Sequence, residues 1–133
     1  MAAVDEVDAY LASVDGLSAR RLTHGEWGIT VPGDRVGGDP IEASLRISEG
    51  LLRAQAIAVY AAGHLDPWML LWWNRQTRLV RFGCTRSQDI WVHADIPVSD
   101  ADEHGVDRLL GLITEAVVTV RAHAAGVRGG RDS

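Results

Sequence analysis

Lysine is absent from this chain of 133 residues: all 13 basic residues are arginine, set against 18 acidic ones, for a formal net charge of −5 at pH 7. A general nucleic-acid binder needs basic charge to neutralise phosphates, so no nucleic-acid partner is expected. Cysteine occurs once, as Cys84, which excludes an internal disulfide framework and any multi-cysteine zinc site. No apolar run approaches the roughly 18 residues of a membrane span, so no membrane partner is expected either. The opening Met-Ala-Ala-Val-Asp-Glu-Val-Asp is acidic where a signal peptide is basic. These absences together predict a cytoplasmic protein.

Catalytic signatures are also missing. There is no Gly-x-Gly-x-x-Gly, no P-loop and no Gly-x-Ser-x-Gly. The five histidines, His24, His64, His93, His104 and His123, show no metal-ligand spacing. His104 sits beside Asp102 and Glu103, which reads as a solvated helix start. Cys84 alternates with Val80 and Phe82 and is expected to be a buried structural thiol, with no base near it. We expect no enzyme, no catalytic residues, no metal and no cofactor.

What is present is a globular pattern: 47% hydrophobic and 23% charged residues. The size suits one domain, here 1–126, with 127–133 a flexible Gly/Arg tail. Val4, Val7, Leu11 and Val14 repeat at helical spacing over 4–14. The period then falls to two. Trp27, Ile29 and Val31 mark one strand, and Ile41, Ala43, Leu45 and Ile47 a second, the clearest in the chain. Residues 51–62 read as a third. Asp66-Pro67 is a helix start, a capping carboxylate followed by proline, and the helix runs to about Gln76. Strands follow over about 79–85 and 89–98, the second with Ile90, Val92, Ala94 and Ile96 inward and Trp91, His93 and Asp95 outward. A long helix then places Val106, Leu109, Leu110, Ile113, Val117 and Val120 on one stripe, with Gly126 as its cap. The expected fold is α+β: α-β-β-β-α-β-β-α, a five-stranded antiparallel sheet with helices on one face.

In this order of elements the sequence resembles the YbjN family and, through it, the class I type III secretion chaperones of the CesT kind. Trp73-Asn74-Arg75 resembles the Trp-Asn element of that family, and Val92-His93-Ala94-Asp95-Ile96-Pro97-Val98 its last strand. The long helix with Leu109 and Leu110 completes the likeness. The long Gly/Asp/Pro connection over 16–40 departs from it. The resemblance implies a small, acidic, non-enzymatic domain that dimerises through its middle helix and holds a client protein or extended peptide. The rival class is a small-ligand-binding or enzymatic α+β domain with a pocket between helices and sheet.

Two groups of residues carry these expectations. Trp68-Met69-Leu70-Leu71-Trp72-Trp73 is apolar all round the helix, more than one sheet face can bury. Either the C-terminal helix covers the remainder or a second copy does. The resemblance favours the second copy, with Trp73, Met69 and Trp68 at a homodimer interface and the Trp68–Trp72 face against the sheet. Arg53, Trp91 and His93 point outward and are expected to contact the peptide or partner, through the sheet face or its edges. Arg75, Arg78, Arg81 and Arg86 form either an anion patch or the polar face of a helix end and two strands; the negative net charge favours the latter.

Overall fold

The computed structural model describes the backbone of residues 2–132 and the side chains of residues 2–127. Its elements are α1 (Ala3–Ser13), β1 (Ser18–Thr23), β2 (Glu26–Val31), α2 (Gly33–Val36), β3 (Ile41–Ser48), β4 (Leu51–Val59), α3 (Pro67–Gln76), β5 (Arg81–Cys84), β6 (Ile90–Pro97) and α4 (Glu103–Asp132), with a single 3-10 turn at Val98–Asp100. The strands form one antiparallel sheet in the order β1-β2-β3-β4-β6-β5. Fold class and antiparallel sheet are as the sequence predicts. Strand number and element order are not: the sheet has six strands, and both β1 and the four-residue α2 fall inside the connection expected over 16–40. Every residue of β1 is exposed, so the strand carries no alternation for a period-two search to find.

Elsewhere the alternation is faithful. In β6 the inward Ile90, Val92, Ala94 and Ile96 are all buried, and in β3 so are Ile41, Ala43 and Leu45. The β3–β4 connection is two residues long, Glu49 and Gly50, both with positive φ (53° and 78°). That conformation matches the right-handed twist of the paired strands. The inner face of β4 is unusual: after Leu52 it presents only Ala54, Ala56 and Ala58, all buried. Across the ladder Ala43 pairs with Ala56, and Ala94 with Ala54. The alanines make a shallow floor, and the buried stripe of α4 (Val106, Leu109, Leu110, Ile113, Val117, Val120 and Ala124) rests over it. Glu103–Val127 is long and apolar enough to cross a membrane by composition alone, but here that apolar stripe is the core. The helix runs through Gly126, its expected cap, to Asp132. From residue 128 the side chains of the expected mobile tail lie outside the described residues, as does Ser133.

Polar side chains lock the layers. The buried Trp27 gives its indole N–H to Asp8 Oδ1 of α1 at 2.8 Å, and Arg21 on β1 reaches the other Asp8 oxygen at 3.2 Å. Tyr10 donates to Asp107 of α4 at 2.6 Å. Burial first, and then this hydrogen bond, raise the Tyr10 phenol well above its ordinary range. At the far end of α4, Arg121 donates to three backbone carbonyls, Ala58 (3.1 Å), Asp39 and Pro40 (3.1 Å). One guanidinium thus ties α4 to the end of β4 and to the entry of β3, a fork a lysine cannot reproduce.

Two outcomes are expected from this packing. Ala56→Leu should lower stability by about 1–3 kcal/mol, because an enlarged floor lifts α4 or forces strained rotamers. Arg121→Lys should recover only part of the loss that Arg121→Ala causes. Urea denaturation followed by circular dichroism measures both; a neutral Ala56→Leu would mean that α4 does not rest on the alanines.

Candidate functional site: the uncovered sheet face and the outer side of α3

α1, α3 and α4 lie on one side of the sheet, and among the described residues the other side is bare. The register assembles that bare face from alternate residues. On β4 and β6 it pairs Arg53 with Asp95, Gln55 with His93 and Ile57 with Trp91. The three residues predicted to meet a partner, Arg53, Trp91 and His93, therefore share one face on adjacent strands. Arg53 Nε stands 3.4 Å from Asp95 Oδ1, both side chains well exposed, a contact of little worth to stability. The rings of Trp91 and His93 lie near-parallel, with 17° between planes and centroids 6.1 Å apart. Partial burial beside the indole lowers the His93 pKa below the ordinary 6.5; Asp95 opposes that shift and Arg53 adds to it.

Sequence reasoning missed the neighbours these residues acquire. Gln55 and Gly83 join Trp91 and His93 around a shallow 210 Å³ depression at the β5 side. A larger groove of 1130 Å³ opens where the end of the bare face meets the 36–40 loop and α4. Two guanidinium groups line it, Arg20 and Arg121, and that of Arg121 is already bound to backbone carbonyls. Among the described residues no three His, Cys, Asp or Glu side chains gather as metal ligands would. Cys84 is exposed, not buried: it stands at the end of the short edge strand, where the helix layer no longer covers the sheet.

The orientation of α3 reverses the expected one. Asp66 caps the helix by accepting from the Trp68 N–H at 3.0 Å, with Pro67 in the first turn, as predicted. But the Trp68–Trp72 face does not meet the sheet. Trp68 is 75% exposed, Trp72 59% and Leu71 58%. Leu70 is the buried residue, and Trp73 packs inward, edge-on to Phe82 of β5 (5.5 Å) and His123 of α4 (5.3 Å). Asn74 fixes this rotation. Its carboxamide donates to the Phe82 carbonyl (3.1 Å) and accepts the Phe82 N–H (2.8 Å), pairing with the β5 edge as a neighbouring strand would. Met69 is half-buried against the core. Of the residues expected at a homodimer interface, Trp68 is thus fully presented, and Met69 and Trp73 in part.

The local charges around His93 make a measurable pattern. Its NMR titration midpoint should lie below 6.5 in the parent protein, rise in Arg53→Gln and fall further in Asp95→Asn. Because the folded form binds its proton less readily than the unfolded chain, the His93 contribution to stability is complete above about pH 6.5 and is lost as pH falls through the lowered midpoint. A midpoint at or above 6.5 would contradict the burial that the structure gives the ring.

No protein-family model and no curated protein matches the sequence. Solved structures do. The type III secretion chaperone SycH of Yersinia pestis, in complex with a stable fragment of YscM2, superposes with a TM-score of 0.62 at 15% identity, over 88% of this chain and 98% of that one. A chain of the HopA1-SchA chaperone-effector complex gives 0.70 at 12% identity, covering 89% and 91%. A chain of the ExsC-ExsE complex gives 0.59 at 12% identity, covering 92% and 96%. Likeness at such identities is a statement about architecture, and it agrees with the helix and strand arrangement described above: this chain has the fold of the type III secretion chaperones.

Proposed function

We propose that the protein is a non-enzymatic, homodimeric binding module that holds a segment of a client protein and works in the cytoplasm. The observation that supports it most directly is the bare face of the sheet. Six strands are covered on one side only, in a fold whose solved examples include chaperones in complex with protein partners. Arg53, Trp91 and His93 are the contact residues of this reading, and β1, a fully exposed strand at the border three strands from β4, offers the backbone groups of its outer edge as a second point of attachment. The YbjN resemblance of Trp73-Asn74-Arg75 and residues 92–98 fits the same role, a regulator that acts by holding another protein.

The homodimer rests on α3. Trp68, Leu71 and Trp72 occupy positions i, i+3 and i+4, so one helix face presents three large apolar side chains to solvent. Large exposed apolar clusters of this kind mark interaction surfaces. In this reading Trp68 lies at the centre of the contact, and Met69 and Trp73 contribute their outer parts at its margin.

The client-binding proposal is tested by a two-hybrid selection of the full chain against fragments of its own genome. The interactions recovered should be lost when Arg53, Trp91 and His93 are all changed to alanine. Partners indifferent to that variant would move the binding site off this face. For the homodimer, light scattering should give twice 14.4 kDa at tens of micromolar. Trp72→Arg should halve that mass while leaving the melt nearly unchanged, and Trp73→Ala should lower the melting temperature. A parent mass of 14.4 kDa would end the homodimer proposal.

A further inference from the structure

Across the bare face the register sets Glu26, Arg46, Arg53 and Asp95 in one row over β2, β3, β4 and β6. The two arginines are direct cross-strand partners at the centre of that row, where like charges repel. Asp95 meets Arg53 through Nε alone. Arg46 makes no ion pair among the described residues, and both guanidinium-bearing side chains are exposed. Glu26 and Asp95 flank the pair as cross-strand partners, but among the described residues only the Arg53 Nε contact forms, so most guanidinium N–H groups of the pair stay open to a further anionic group.

Four residues along β6 from Asp95, the face becomes apolar. Trp91 is half-buried, and its partner on β5 is Gly83. A Cβ on Gly83 would come no nearer than 3.9 Å to His93 Nε2, its closest neighbour. The missing side chain leaves the 210 Å³ depression beside the indole.

Resting on the client-binding reading above, we propose that the bare face selects acidic client segments: a carboxylate is taken between Arg46 and Arg53, and an apolar side chain enters the Gly83 depression against Trp91. Guanidinium forks match carboxylates in geometry as well as in charge. A carboxylate between the two arginines replaces a repulsion with two charge-assisted contacts. The subsites lie about 13 Å apart along the strands and about 10 Å across them, roughly 16 Å in all. That distance is spanned by an acidic and an apolar residue about five positions apart in an extended segment.

The experiment is a selection of phage-displayed random peptides on the full chain, followed by anisotropy titration of the enriched peptides as synthetic fluorescent probes. Enriched peptides should carry Asp or Glu about five residues from a large apolar residue. Their affinity should fall at least tenfold when the acid becomes its amide, and equally for Arg46→Gln and Arg53→Gln protein. Arg46 makes no ion pair among the described residues, so Arg46→Gln keeps the test valid if Arg53→Gln perturbs folding. Gly83→Val should remove the preference for the apolar residue and spare the preference for the acid. Enrichment without regard to charge, or unchanged binding to Arg46→Gln, overturns this inference and leaves the client-binding reading standing. Enrichment of no peptide overturns both.

Discussion

The closeness of α4 to the sheet is the constraint on which the rest of the structure depends. It is set by what the middle of the sheet lacks: beyond Leu52 the inner face of β4 carries only alanine, and Ala43 and Ala94 extend that floor to β3 and β6. A helix bearing Val, Leu and Ile at its inward positions from Val106 to Val120 can settle onto small side chains, and close packing is what makes such burial effective. Because α4 sits low, Arg121 at its far end reaches carbonyls on β4 and on the loop before β3, and Asp107 near its start meets Tyr10 of α1. The positions of α1 and of the β3 entry are thus set by a helix far away in sequence.

The polar chemistry divides between the two faces. On the covered side several large polar handles near the core have partners: Trp27 and Arg21 on Asp8, Tyr10 on Asp107, Asn74 on the Phe82 backbone. On the bare side the sole ion pair among the described residues, Arg53 with Asp95, is exposed and contributes little. The ion pair of the outer face is not what holds the fold together. That independence leaves the face free to be shaped by what it touches, and it allows an arginine pair at its centre that a structural role would not favour.

The sequence disclosed what periodicity records and concealed what distant contacts decide. The alternation of β3 and β6 and the stripe of α4 appear in the structure as read, because each has one dry side and one wet side. β1 escaped notice because both its sides are wet. The rotation of α3 escaped because Trp68 to Trp73 are apolar in every direction; the choice of inward face belongs to Asn74, whose partner lies eight residues on in another element. Arg53, Trp91 and His93 could each be read as outward-pointing. That they fall in one field could not, since this requires β4 to lie against β6 and not against β5, the next strand in the chain.

The two borders of the sheet are finished differently. β5 is four residues long, and the Asn74 carboxamide occupies the backbone groups of Phe82, whereas β1 at the opposite border pairs with β2 and has no strand on its outer side among the described residues. Endless strand-by-strand assembly requires two compatible free borders on each molecule, one to give and one to receive. A β5 border so short and partly occupied favours joining two copies β1 to β1, a closed and self-terminating arrangement. The carboxamide of a single asparagine thus leaves less of the β5 border open to an incoming strand than β1 leaves at the other.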